Sequence, residues 1–257
     1  MTEPLLSATS LRTGFGSQVV LHGMDFEAAR GEVTGVFGLN GAGKSVLLKT
    51  LAGVVPLWSG TIVLEGRRVE GTPPEKRVEM GMAHVPQGRQ VFRSLSVEQN
   101  LRVGGTVLRK RDRRSYAEAL EEVYAMFPQL AAKRRQAAGS LSGGQQAMLA
   151  VGRVLVARPR VVLIDEPSAG LSPAVVEELL GMLLDVRARG VTMVLVEQNV
   201  GFGLRLSDTA FLLQRGTVVH KGPAAELDSE KLAYHLGVGR LLGGRPGRRD
   251  KRVPLRR

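Results

Sequence analysis

The sequence predicts an α/β protein: a mostly parallel sheet with helices on both faces, interrupted by one helical lobe. Three observations carry this. Apolar runs of strand length alternate with segments of helix length along most of the 257 residues, the pattern of strand–crossover–strand units. A glycine-rich octapeptide, Gly38-Leu39-Asn40-Gly41-Ala42-Gly43-Lys44-Ser45, lies between one such run and a helix-like segment. A second apolar run, Val161-Val162-Leu163-Ile164, ends in two acids, Asp165 and Glu166.

The elements follow in order. Residues 19–27 partly alternate and predict a strand, and 32–37 predict a buried strand feeding the octapeptide. Residues 45–52 predict a helix, and 61–64 a further strand after Ser59-Gly60. From about 87 to 156 the pattern turns helical. Within it, 115–127 put Leu120, Val123, Tyr124 and Phe127 on one helix face, and Pro128 predicts the stop. The basic run 109–114 just before predicts a solvated loop. Residues 160–165 return to a buried strand, 173–188 predict a helix, and 191–196 another apolar strand. The helical block breaks the alternation, so a separate lobe is predicted over about 88–156.

Composition narrows the classes. Hydrophobic residues make 43% and charged residues 23% of the chain, as in a globular protein, while aromatics are only 4%. Aliphatic side chains must therefore fill the core. There is no cysteine, which excludes disulfides and thiolate metal sites. The start, Met1-Thr2-Glu3-Pro4, lacks a signal-peptide pattern, and no stretch approaches the roughly 20 apolar residues of a membrane helix. The net charge is +12, but residues 240–257 hold eight basic residues against Asp250, seven of those twelve charges. This tail, 238–257, has no apolar period and is expected to be disordered. It reads either as a solvated tail or as a segment drawn to anionic headgroups.

The octapeptide is a phosphate-binding P-loop. Gly38, Gly41 and Gly43 let backbone N–H groups turn inward around a phosphate, and the following helix adds favourable potential for anions. Asn40 and Ala42 complete the loop. Lys44 offers an ammonium to the β- and γ-phosphates, and the Ser45 hydroxyl is placed for Mg²⁺. Asp165 emerges at the C-terminal edge of a buried strand, where α/β sheets bind ligands. It is expected to hold Mg²⁺ through its water shell, with Glu166 orienting or deprotonating an attacking water.

Leu141-Ser142-Gly143-Gly144-Gln145, about 20 residues before the acidic strand end, resembles the signature motif of ABC ATPases. Physically it is a second anion nest, a hydroxyl and two glycine N–H groups opening a helix that runs to about Ala157. The resemblance implies a P-loop NTPase fold with a RecA-like core, an antiparallel β subdomain and an inserted α-helical subdomain. It implies ATP and Mg²⁺ as ligands, with Ser142, Gly143, Gly144 and Gln145 facing the γ-phosphate held by another subunit. Gln87, in His84-Val85-Pro86-Gln87, matches the family's glutamine that reaches Mg²⁺ and hinges the lobe against a membrane partner. Phe15 matches the aromatic that stacks on adenine, and residues 168–173 match the loop that crosses the dimer interface.

Two positions depart from the family pattern. Ser172 stands where an aspartate is common, and Gln198 where the switch histidine is common. An amide can donate to a γ-phosphate oxygen but cannot carry positive charge. With Val85-Pro86-Gln87-Gly88-Arg89-Gln90-Val91-Phe92, these features resemble the second ATPase subunit of branched-chain amino acid importers, over about 5–237. Urea and short-amide importers have similar subunits. The resemblance implies membrane subunits, a second ATPase subunit, an indirect substrate-binding protein and a place on the cytoplasmic face of the cell membrane. A dimerisation switch with little hydrolysis is the reading of another class, against which Glu166 speaks. No nucleic acid is expected: the P-loop and the acidic strand end lie too close for a long coiled-coil insertion, there is one cassette, and the excess charge sits in a tail.

Overall fold

The computed structural model describes residues 4–88, 90–227 and 231. Arg89 and the basic tail 238–257 lie outside the described residues. The chain begins with two long antiparallel strands, β1 (Leu6–Phe15) and β2 (Gln18–Ala28), then β3 (Val33–Phe37) and α1 (Lys44–Leu51). Next come β4 (Ser59–Leu64), β5 (Arg67–Arg68), α2 (Pro74–Glu79) and β6 (Met82–Val85). A helical stretch follows, with α3 (Val97–Gly104), α4 (Thr106–Arg111), α5 (Arg113–Met126), α6 (Pro128–Ala131) and α7 (Gly143–Leu155). The chain then forms β7 (Val161–Asp165), α8 (Pro173–Ala188), β8 (Thr192–Val196), α9 (Val200–Leu206), β9 (Thr209–Gln214) and β10 (Thr217–Pro223).

A six-stranded sheet has the order β10-β9-β3-β8-β7-β6, parallel except for β10. An antiparallel sheet, β2-β1-β4-β5, lies beside it. The parallel strands are buried on both faces, and alternate residues enter different cores. Val162 and Ile164 of β7 join α3, α5, α7 and α8 in one cluster. Val161 and Leu163 join α1 and the antiparallel sheet in the other. That is why these strands read as continuous apolar runs rather than alternating ones.

The basic run 109–114 is not the loop predicted for it. Helix α4 continues to Arg111 and α5 starts at Arg113. A single residue breaks them: Asp112 accepts hydrogen bonds from the Arg114 and Ser115 N–H groups at 2.9 and 3.2 Å, capping α5 at once. Pro128 both ends α5 and opens α6 as its first helical residue.

Candidate functional site: a nucleotide edge and a separate helix cap

Parallel registration brings the chemical residues to one edge of the sheet. Val36 of β3 pairs with Val196 of β8, which pairs with Asp165 of β7, while β6 ends beside Ile164. The P-loop, the Glu166 loop, the Gln198 loop and Gln87 therefore leave the same C-terminal edge.

In the P-loop, Gly43 caps α1 at φ 103°, a conformation only glycine adopts without strain. Gly38 has no room for a side chain, since a Cβ there would lie 2.3 Å from the Leu213 carbonyl of β9. The turn between β9 and β10 braces the loop from behind. The Gly216 N–H donates to the Ala42 carbonyl at 2.9 Å, and His22 N–H of β2 donates to the Gly216 carbonyl at 3.1 Å.

Lys44 is 5% exposed, and its ammonium donates to the Gly38 and Leu39 carbonyls at 2.9 and 3.3 Å. It lies 3.9 Å from Glu166 Oε1. The other Glu166 oxygen accepts from Gln87 Nε2 at 2.7 Å. Ser45 Oγ donates to Asp165 Oδ1 at 3.0 Å. Asp165 is 2% exposed, and its Oδ2 has no hydrogen-bond partner. Burial holds the Asp165 carboxyl above the usual carboxylate range, against the lowering effect of Ser45. A buried, unpartnered carboxylate oxygen beside a serine hydroxyl is a hard-oxygen donor set that fits Mg²⁺. Among the described residues no cluster of three or more His, Cys, Asp or Glu could hold a metal. A cavity of about 520 Å³ opens between this edge and α7, lined by Gln87, Gln146, Asp165 and Glu166 among others.

The signature segment folds as an N-cap. Ser142 Oγ accepts from the Gln145 N–H at 3.3 Å, and Gln145 Oε1 accepts from the Ser142 N–H at 3.2 Å. Gly143 and Gly144 are the first two residues of α7, in the turn whose N–H groups have no partner within the helix, and Gly144 is buried. Gln145 is fixed further by Lys133, whose ammonium donates to its Oε1 at 3.0 Å. Among the described residues no hydrogen bond joins 142–145 to the P-loop. Phe15 ends β1 with its ring 56% exposed. Gln198 is exposed, and its N–H donates to Glu197 Oε2 at 3.0 Å.

Two contributors are absent from the sequence reading. Gly216 carries only an Arg-Gly turn signal between two strands, with nothing to point it at the P-loop. Glu197 hid inside the switch segment, where attention falls on its neighbour Gln198.

Fold and edge together define a nucleotide-binding P-loop protein. The family model described as ABC transporter matches residues 21–169. The high-affinity branched-chain amino acid transport ATP-binding protein BraG of Pseudomonas aeruginosa is 40% identical, over 89% of this chain and 97% of its own length. The probable branched-chain amino acid transport ATP-binding protein LivF of Archaeoglobus fulgidus is 36% identical, over 87% and 94%. The ADP conformation of MJ1267, an ATP-binding cassette of an ABC transporter, shares the fold with a TM-score of 0.82. It is 23% identical and covers 93% of this chain and 100% of that one. The chain belongs to the ABC transporter family as an ATP-binding component that hydrolyses ATP.

Proposed function

We propose that this chain powers an importer of branched-chain amino acids from the cytoplasmic face of the membrane. It would be paired there with a second ATPase subunit and seated on membrane subunits that receive solute from a binding protein. The convergence of Lys44, Ser45, Gln87, Asp165 and Glu166 on one sheet edge carries the catalytic reading. The solute rests on the likeness to the two branched-chain ATP-binding proteins. No helix among the described residues is long and apolar enough to cross a membrane. We assign 1–237 to one nucleotide-binding domain with its helical lobe at about 88–156.

Phe15 stacks on adenine, and the N–H groups of 38–43 cradle the phosphates. Lys44 leaves the Gly38 and Leu39 carbonyls for the β- and γ-phosphates. Ser45 and Asp165, with Gln87, would hold Mg²⁺, which when bound neutralises charge on those phosphates. Glu166, freed from Gln87, orients a water for in-line attack on the γ-phosphorus. The β–γ bridging bond breaks, ADP leaves with the electron pair, and the water's proton passes to Glu166. Gln198 donates its amide to the γ-phosphate, and the 142–145 cap closes on the nucleotide of the opposite subunit. Motion of the Gln87 loop carries the stroke to the membrane subunits.

The test is uptake of labelled leucine by cells lacking the chain. Wild type restores uptake, and Glu166→Gln does not, its ATP turnover falling at least about 100-fold. Uptake independent of the chain would overturn the solute assignment, and equal turnover by the two proteins would overturn the role of Glu166.

A further inference from the structure

Glu197 is 1% exposed, a carboxylate with no solvent to stabilise it. Backbone donors from two loops surround it instead. Oε1 accepts the Ser168 N–H at 3.0 Å, from the loop that begins at Glu166. Oε2 accepts the Gln198 and Asn199 N–H groups, each at 3.0 Å. Its own N–H donates to the Val36 carbonyl at 3.2 Å, at the end of the strand leading into the P-loop. The next strand end is tied in too, because the Glu166 N–H donates to the Val196 carbonyl at 2.9 Å. Gly203 of α9 closes the pocket: a Cβ there would lie 3.4 Å from Glu197 Cβ and 2.3 Å from the Phe37 ring.

We infer that Glu197 is a positioning residue of the ATPase cycle: its carboxylate clamps the 166–172 loop to the Gln198 loop, so that Glu166 and Gln198 are set as one unit. Three features of the chemistry argue for this. A carboxylate offers only acceptors, and it meets three backbone N–H donors and the Ser168 hydroxyl, so the match is one of type as well as shape. The donors come from loops, not from strand ladders: the Glu166 N–H ties only the first residue of the 166–172 loop to the end of β8, and the carboxylate adds the tie at Ser168. And a neutral core side chain would fill the space without fixing either loop. The retention of a buried acid here follows from what it orients.

The inference rests on the proposed roles of Glu166 and Gln198, which the loss of turnover in Glu166→Gln tests separately. Its own test measures ATP turnover by the transporter assembled from full chains, comparing wild type, Glu197→Gln, Gln198→Ala and the double variant. The amide of Glu197→Gln keeps one acceptor but sets an NH₂ against N–H donors on the other side. kcat is expected to fall about 10- to 100-fold with KM for ATP within about twofold, since a displacement near 1 Å is enough for such a loss. The double variant should be no slower than the slower single one, because one acts through the other. Turnover within about twofold of wild type, multiplicative losses, or kcat and KM failing together with the thermal midpoint would overturn it. Should Glu197→Gln not fold, Glu197→Asp, which keeps the charge one methylene short, is read by the same criteria.

Discussion

His84 stands on β6, three residues ahead of Gln87, and its Nε2 is buried without a hydrogen-bond partner. Burial, and secondarily the Lys49 ammonium of α1, pull its pKa down to about 4. The folded chain therefore refuses a proton that the unfolded chain accepts below about pH 6.5. Stability falls as pH drops from 6.5 towards 4 and this contribution is fully lost below that. On the order of 2 kcal/mol is expected, allowing for partial exposure of the ring. Urea unfolding at pH 7 and pH 4.5 measures it, with His84→Leu as control. The variant should lose this part of the slope, and parallel slopes would sink the account. Single residues differ in how far sequence exposes them. Lys44, Ser45, Asp165 and Glu166 are legible because a phosphate site needs those types at those spacings. His84 and Glu197 are not, since their importance lies in what the fold leaves around them. Phe15 is intermediate: its position suggests a platform, and its exposed ring is what a platform requires.

At the scale of elements, α1 illustrates how the nucleotide helix is held at its far end. Arg77 of α2 is 2% exposed. Its Nη1 donates to the Thr50 and Leu51 carbonyls at 3.0 and 2.5 Å, and its Nε donates to the Thr72 carbonyl at 2.9 Å. A buried cation thus closes the C-terminus of the helix whose N-terminus faces the phosphates, the favourable end for positive charge. Arg77→Met takes the guanidinium donors from the Leu51 and Thr72 carbonyls, leaving Thr50 with the Gly53 N–H at 3.1 Å, and should cost about 2–4 kcal/mol in urea unfolding at unchanged m. A loss under about 0.5 kcal/mol would mean that neighbouring N–H groups suffice. Nothing in the sequence singles out Arg77 from the other basic residues around α2. Strands sort in the same way. β7 and β8 are legible because both faces are buried, and β9, with Ala210–Leu213, carries the same apolar signal without a motif to draw attention. β1 is obscured by a bulge: Ser10 takes φ 52° and the register shifts between Ala8 and Leu11, so alternation fails midway. The break between α4 and α5 is hidden because one aspartate accomplishes it.

At the scale of the whole molecule, the proposed function makes the P-loop edge and the α7 cap two unlike halves of one site. The P-loop edge holds a lysine, a serine and the acids, while Ser142 and Gln145 cap α7 with no hydrogen bond to the P-loop among the described residues. The two are also mechanically joined. A Cβ on Gly144 would lie 2.4 Å from Val175 of α8, the helix that follows the 166–172 loop. In the proposed function a second ATPase subunit, approaching head to tail, would complete both sites at once, with ATP as the bridge. Glu166→Gln, which keeps the nucleotide unhydrolysed, should therefore associate with its ATPase partner, or with itself, when ATP and Mg²⁺ are added, and should separate in ADP. Light scattering after size-exclusion chromatography reads the mass. Ser142→Asp in that background is the sharper probe. Aspartate caps α7 as well as serine does, so the fold and thermal midpoint should hold. Its carboxylate would face a γ-phosphate across the interface, and like charges there cost several kcal/mol, enough to abolish the ATP-driven association. A Ser142→Asp chain that still doubles in mass with ATP would mean that the cap does not meet the nucleotide, and the shared site would have to be given up.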